Sequence, residues 1–240
     1  MIQRAHTIKL KPNKAQAVLL SKTAGTARYA YNWGLAKWKE LYEKGEKCDQ
    51  YMLSRLWTQT RPEWSKEVFS GAGFKAIMNL GGAYNAFFRG FRKHPQFHRK
   101  GLRDSFYVSN DKAKLYGSKV RLPNIGRVRM MEELRYSDCK IMSYTVRRKA
   151  DGWYVSICVE LEEERRTKSE SFVGVDVGCK HLAVASDGTV CTTPGKLKDL
   201  ERQLKRRQRL LSRKQRGSKN RQKARLRVSR TFQRIQNIKQ

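Results

Sequence analysis

The chain has 240 residues, of which 53 are Lys or Arg and 21 are Asp or Glu, giving a formal net charge of +32. That length buries a core and allows one or two domains. The charge repels itself unless a polyanion neutralises it; nucleic acid fits that role better than an anionic membrane, because no segment nears the ~20 apolar residues of a spanning helix.

The amino-terminal run MIQRAHTIKLKPNK has no apolar stretch and does not read as a secretory signal. From residue 5, AHTIKLKP alternates, with Ile8 and Leu10 opposite Thr7 and Lys9, which predicts a strand stopped by Pro12. Asn13 then caps a helix carrying Ala17, Val18, Leu19 and Leu20. In GTARYAYNWGLAKWKELYEKG, the residues Tyr31, Leu35, Trp38 and Tyr42 form a helical stripe, and Gly45 is its stop. Tyr31, Trp33 and Trp38 carry rings able to stack on bases, but their helical spacing favours the core. QYMLSRLW reads as another helix. FKAIMNLGGAYNAFFRGFRK reads as a third, with Ile77, Leu80, Tyr84, Phe87, Phe88 and Phe91 inward. Gly81 and Gly82 each cost about 1 kcal/mol against Ala inside it, and mark a close helix approach or a kink. His94 and His98 are spaced i, i+4. Pro95 lies between them and no ligand partners stand nearby, so a basic loop is favoured over a metal site.

From about residue 95 the period changes. DSFYVSN, AKLYGSKVRLPNIGRVRM and CKIMSYTVRRKADGWYVSICVELE are short alternating runs, split by turns at YGSK, PNIG and KADG. They predict an antiparallel sheet or small barrel, joined by the first strand, with the helices inserted. EEERRTKSES is a charged linker. FVGVDVG, KHLAVASDG and TVCTT then read as a three-strand meander with a D-G turn. After Pro194-Gly195 the chain is helical and very basic. Leu197, Leu200, Leu204 and Leu211, then Leu226, Phe232, Ile235 and Ile238 beyond the Gly217-Ser218 break, give two helices one apolar seam under cationic outer faces. Five dispersed cysteines, Cys48, Cys139, Cys158, Cys179 and Cys191, form no Cys-x-x-Cys pair. They suit reduced thiols in a cytosolic protein better than a disulfide frame or a zinc site.

Asp176 stands inside the apolar run FVGVDVG, on what reads as a buried strand. An acid there needs a pairing cation, hydrogen bonds or a metal. Two readings stay open: a partner Lys, Arg or turn, or a Mg²⁺ ligand, with Gly178 leaving room for a phosphate backbone.

Several motifs, in order along nearly the whole chain, resemble the TnpB family, the OrfB-type proteins of bacterial insertion sequences and relatives of compact type V CRISPR effectors. These are HTIKLKPNKAQ; GTARYAYNWGLA with Arg28, Tyr31 and Asn32; NLGGAYNAFFR; FHRKGLRDSF; KVRLPNIGRVRM; TVRRKADGWYVSICVE; VGVDVGCKHLAVASDG; and LSRKQRGSKNRQKARLRVSR. The resemblance implies an α+β chain. Its parts are the first strand of a wedge-type antiparallel β-barrel (1–12), an inserted helical recognition domain (13–95), the rest of the barrel (96–167), and the start of an RNase H-like RuvC domain with a basic helical hairpin (168–240). GAGFKAIMNLGG departs from the family by carrying small residues where longer polar ones are usual.

The resemblance also implies a job: RNA-guided DNA recognition, with Mg²⁺-dependent cutting by RuvC. Asp176 is carried over as the first metal-binding carboxylate. The family's second and third RuvC carboxylates and its zinc element fall, by the family pattern, beyond Gln240, and Asp187, Asp199 and Glu201 are poor substitutes. The expectation is therefore a truncated chain that binds guide RNA from the transposon end and target DNA, holds Mg²⁺ poorly, has no zinc site or membrane partner, and cannot cut alone. A complete endonuclease, if the gene continues or a second chain completes RuvC, and a guide-directed repressor are the alternatives. Expected contacts on the barrel are Arg103, Lys119, Arg121, Arg127, Arg129, Arg147 and Arg148. On the hairpin they are Lys205, Arg206, Arg207, Arg213, Lys214, Arg216, Lys219 and Arg221. The expected location is the cytoplasm, associated with the nucleoid.

Overall fold

The structure, a computed structural model, describes residues 1–102, 104–162, 172–178, 181–192 and 194–239. It divides into two compact units, Met1–Glu163 and Glu164–Gln240.

In the first unit, strand β1 (Ile2–Lys11) ends at Pro12, and Asn13 starts helix α1 (Lys14–Glu43). The Gln16 amide donates to Asn13 Oδ1 at 2.8 Å, and the Asn13 amide donates to Gln16 Oε1 at 3.1 Å, a complete capping box. The two helical stretches expected here are one unbroken helix of 30 residues. Buried Thr23 and Thr26 stay inside it because their hydroxyls donate to the carbonyls of Leu19 and Lys22. Gly45, at φ +73°, follows its end. Helix α2 (Gln50–Thr60) is capped by Asp49, a short 3₁₀ turn spans Glu63–Glu67, and helix α3 covers Gly71–Phe88.

The α3 glycines differ in role. A Cβ on Gly81 would lie 2.6 Å from Gln50 Cβ, at the start of α2, whereas one on Gly82 would meet nothing within 4 Å. Gly81 therefore marks a close helix approach. The inward stripe also ends sooner than its period suggests. Tyr31, Leu35, Trp38, Ile77, Leu80 and Tyr84 are buried, but Tyr42, Phe88 and Phe91 are exposed. Trp38 stacks on Tyr84 with centroids 4.2 Å apart, and Phe88, one turn further on, stacks on Tyr84 at 5.9 Å while most of its ring stays exposed.

The remaining strands are β2 (Ser105–Ser109), β3 (Lys114–Tyr116), β4 (Lys119–Leu122), β5 (Gly126–Met130), β6 (Lys140–Lys149) and β7 (Gly152–Leu161). With β1 they form a seven-stranded antiparallel sheet in the order β2-β6-β7-β1-β5-β4-β3. The mixed α+β class holds, but the closed barrel does not: among the described residues no ladder joins β2 to β3. The sheet nevertheless curls. Residues 110–113 link its two edges and reach at most ~18 Å, while seven strands laid flat would span roughly 29 Å. Three-residue β3 offers too short an edge for a closing ladder. The inner face, including Ile8, Leu10, Val108, Val128, Val146 and Ile157, joins the helices in one core.

In the second unit, β8 (Val175–Asp176), β9 (Ala183–Ala185) and β10 (Val190–Cys191) form the meander β10-β9-β8, turning at Gly188 with φ +85°. Helices α4 (Gly195–Ser212) and α5 (Lys219–Lys239) form the basic hairpin. Its seam differs from the expected one. Thr231 and Ile235 are buried and Val228 is half-buried, whereas Leu226 and Phe232 are exposed. The spacing 228, 231, 235 follows the helical period and 226 falls off it, while Phe232 keeps the period but stands at the edge of the seam. Residues 163–171 of the expected linker and Cys179 lie outside the described residues. Among the described residues no helix is long and apolar enough to cross a membrane.

Candidate nucleic-acid interface

On β4 and β5, alternation sends Val120, Leu122, Val128 and Met130 into the core. Lys119, Arg121, Arg127 and Arg129 therefore share the outer face. Pairing sets Arg129 between Lys11 and Lys119, with Tyr116 beyond, in one cross-strand row. Arg127, Arg121 and Lys114 make the next. The Arg127 guanidinium lies 4.5 Å over the Tyr116 ring, and Gln16 ties the first turn of α1 to the Arg127 carbonyl at 2.9 Å. Like charges directly opposite one another destabilise a sheet. Among the described residues none of these cations has a carboxylate partner, so a polyanion is what would relieve the row. Lys11, Lys114 and Tyr116 were not singled out from sequence, although the alternation of β1 and β3 carried the signal.

Arg147 and Arg148 lie elsewhere, on β6 beyond β7 and β1 in the sheet order. They line a cleft of about 470 Å³ with Arg28, Tyr31, Asn79, His98 and Ser105. Arg148 also lies 5.9 Å over the Trp153 ring. The cleft wall is built by the α1 signature. Arg28 Nη1 donates to Asp104 Oδ1 at 2.5 Å. Tyr31 stacks on His98 at 3.8 Å between centroids. Asn32 exchanges two hydrogen bonds with the His98 backbone, at 2.7 and 3.0 Å. Burial pushes the Tyr31 hydroxyl pKa up, keeping the ring neutral. Trp38 is likewise core and Trp33 packs against it, so this trio of rings supports the fold. Arg103 lies outside the described residues.

On the hairpin, Lys205, Arg206, Arg213, Lys214, Arg216 and Lys219 are exposed. Arg207 and Arg221 hold the hairpin together as well. Arg207 donates to the Thr231 hydroxyl, and Arg221 Nη1 to the carbonyls of Leu211 and Lys214 at 3.0 and 2.6 Å.

Asp176 is on β8 but exposed, not buried, as are Val175 and Val177 beside it, because two-residue β8 has no covering layer among the described residues. Other acids of this unit are engaged elsewhere. Asp187 accepts from the Thr189 amide at 2.8 Å, Asp199 pairs with Arg202, and Glu201 with Lys239. Among the described residues no group of three or more His, Cys, Asp or Glu is placed to hold a metal. Asp176 thus fits as one oxygen ligand, and the described residues do not complete a two-metal centre around it. Thiol chemistry is equally disfavoured at Cys48, which burial and then Asp49 push up to about 11.

Residues 156–240 match the OrfB_IS605 family model, described as "Probable transposase", and residues 1–47 match HTH_OrfB_IS605, described as "Helix-turn-helix domain". Together the two matches take in more than half of the chain. This chain belongs to the OrfB family of IS605 type. The OrfB chain is similar to "Putative RNA-guided DNA endonuclease InsQ" of Escherichia coli, 31% identical over 243 residues. It is similar too to "Putative RNA-guided DNA endonuclease" of Streptomyces pristinaespiralis at 27% over 246 residues, and to "Putative RNA-guided DNA endonuclease Rv2885c" of Mycobacterium tuberculosis at 25% over 286. Each alignment takes in 98% of this chain, and the chain spans about 60% of the length of these relatives. Within residues 1–47 the OrfB chain holds one strand, β1, and one unbroken helix, α1, and α2 begins beyond the matched residues.

Proposed function

We propose that this OrfB chain binds guide RNA and target DNA in RNA-guided DNA recognition, and that residues 1–240 alone bind without cutting. The observation that carries the reading is the outer face of β3–β5, where like charges stand opposite one another without carboxylate partners. Placing those cations in a row uses strand alternation, and a cationic row without carboxylate partners suits a surface that meets phosphates. The relatives described as RNA-guided DNA endonucleases, aligned along 98% of the chain, support the same reading. On it, the curled sheet serves as the family's wedge element and the β8–β10 meander as the opening of an RNase H-like RuvC fold. The hairpin cations grip nucleic-acid backbone. Asp176 serves as one Mg²⁺ ligand, the remaining carboxylates coming from outside residues 1–240. The guide comes from the transposon end, and the place of action is the nucleoid.

The test uses the 240-residue chain and a variant with Lys119, Arg121, Arg127 and Arg129 changed to Gln. Each is titrated with structured transposon-end RNA and with unrelated RNA of equal length, across a salt series. The wild-type chain is expected to keep a preference for the transposon RNA as salt rises, since RNA is read by shape and hydroxyls as well as charge. The variant is expected to lose that preference. Equal binding of both RNAs by the wild-type chain at every salt would sink the guide-binding assignment. Guide-dependent DNA cleavage with Mg²⁺, abolished by Asp176→Ala, would sink the claim that these residues do not cut alone.

A further inference from the structure

Phe88 and Phe91 were expected to face inward, and the structure turns them out. Helix α3 ends in a Schellman motif: the Gly90 amide donates to the Phe87 carbonyl at 2.9 Å and the Phe91 amide to the Ala86 carbonyl at 2.9 Å, with Gly90 at φ +74°. The residue in the Phe91 position usually packs back on its helix, but Phe91 is 79% exposed. Phe88 is 63% exposed and Phe97 51%. Phe88 still meets Tyr84 and Phe87, at 5.9 and 5.4 Å, whereas Phe91 meets no other ring among the described residues, so its apolar surface carries a cost in water.

The loop that bears them is held in place. Pro95 is buried, and the His94 ring meets Tyr84 and Phe87 edge-on at 5.5 and 5.2 Å. His98 is fixed by Tyr31 and Asn32. On either side of these pins stand Arg89, Arg92 and Lys93 before His94 and Arg99 and Lys100 after His98, all exposed, and no carboxylate occurs from 88 to 100. The Lys39 ammonium adds a cation 5.3 Å over the Phe97 ring. Cations alternating with open aromatic faces on a pre-set loop are the chemistry of single-stranded nucleic acid: phosphates meet the charges and bases stack on the rings. The same rings facing a protein partner would not call for an unbroken cationic surround.

We propose that Phe91 and Phe97, on the pinned loop after α3, form a stacking subsite for unpaired nucleobases. The proposal rests on the reading of the chain as nucleic-acid-binding and adds which part of the nucleic acid this loop takes. Fixing the loop beforehand by His94, Pro95 and His98 lowers the ordering cost of binding.

The full chain is compared with the double variant F91L/F97L, which keeps apolar bulk without the aromatic face, and with F91Y/F97Y, which keeps the face. Ligands are a single-stranded RNA containing 2-aminopurine, the same strand in a duplex, and single-stranded DNA of the same sequence. Thermal melting of each variant checks the fold. Leucine variants should bind the single strand at least about 10-fold more weakly, from a stacking contribution of roughly 5- to 150-fold per base. They should also lose 2-aminopurine quenching, with duplex affinity and salt slope unchanged. Tyrosine variants should match wild type. A loss shared by RNA and DNA assigns the stack to bases of either strand, and a loss with RNA alone assigns it to RNA. If the wild-type chain binds RNA and the leucine variants bind single strands equally well, the subsite is overturned while the nucleic-acid reading stands. A loss equal for single strand and duplex overturns it, as does a change in self-association alone. If the wild-type chain binds no nucleic acid, the broader reading fails first.

Discussion

Arg28, Tyr31 and Asn32 sit within five consecutive positions of α1, and all three hold the chain where it enters the sheet. Arg28 and Asp104 make a mostly buried pair, with side chains 22% and 10% exposed. Asp104 Oδ1 also accepts from the Gly101 amide at 3.3 Å. Asp104→Ala leaves the guanidinium without its counter-charge, and should cost about 2 kcal/mol in a urea titration. A cost within about 0.5 kcal/mol of zero would show that water replaces the carboxylate. Asp151 gives a pH signature. Burial alone would raise its pKa, but hydrogen bonds from the Lys9 ammonium at 2.7 Å and the Tyr154 hydroxyl at 2.8 Å outweigh it and hold the carboxyl below its ordinary 3.8. A depressed folded-state pKa means that the stabilisation is fully present above 3.8 and is lost as pH falls through the lower folded value. Asp151→Asn should therefore destabilise at neutral pH, and the gap to wild type should close on acidification below that point. Denaturant midpoints that differ equally at neutral and acidic pH would contradict this.

Among the elements, the α3 glycines are neighbours with opposite consequences. Gly81→Ala must push against Gln50 Cβ at 2.6 Å, and overpacking of that kind costs about 1–3 kcal/mol. Gly82→Ala enters open space and should gain up to about 1 kcal/mol of helix propensity. Paired urea melts that moved both variants the same way would show the α2–α3 contact to be looser than described. In strands β4 and β5 the same alternation that buries Val120, Leu122, Val128 and Met130 lifts Lys119, Arg121, Arg127 and Arg129 into one cationic face. Core and interface there are two sides of one pattern.

For the molecule as a whole, stability is unevenly placed. Nearly all buried residues belong to Met1–Glu163, while Glu164–Gln240 buries only Thr231 and Ile235 among the described residues. Local opening is cheapest where apolar burial is least. In hydrogen exchange on the 240-residue chain, amides of β1, β6 and β7 should be the most protected and those of β8–β10 should exchange far faster. Protection of β8–β10 equal to that of β7 would mean that the meander has found a covering layer, by self-association or otherwise.

The sequence by itself determined what depends on near neighbours. Asn13 and Gln16 wrote the start of α1, Gly45 followed its end, period-two runs gave β1, β6 and β7, and the charge pointed to phosphate. The order of motifs pointed to the family. Tertiary structure alone decided what depends on distant partners. Strand order separated Arg147 and Arg148 from the Lys119–Arg129 face, since pairing partners are not encoded by spacing. Helix α3 ended at Phe88, so Phe91 faces solvent despite its helical spacing, and Phe88 stacks on Tyr84 while staying mostly exposed. Cross-hairpin hydrogen bonds engaged Arg207 and Arg221. Exposure of Asp176 followed from the absence of a covering layer among the described residues, a property of packing that no local pattern carries.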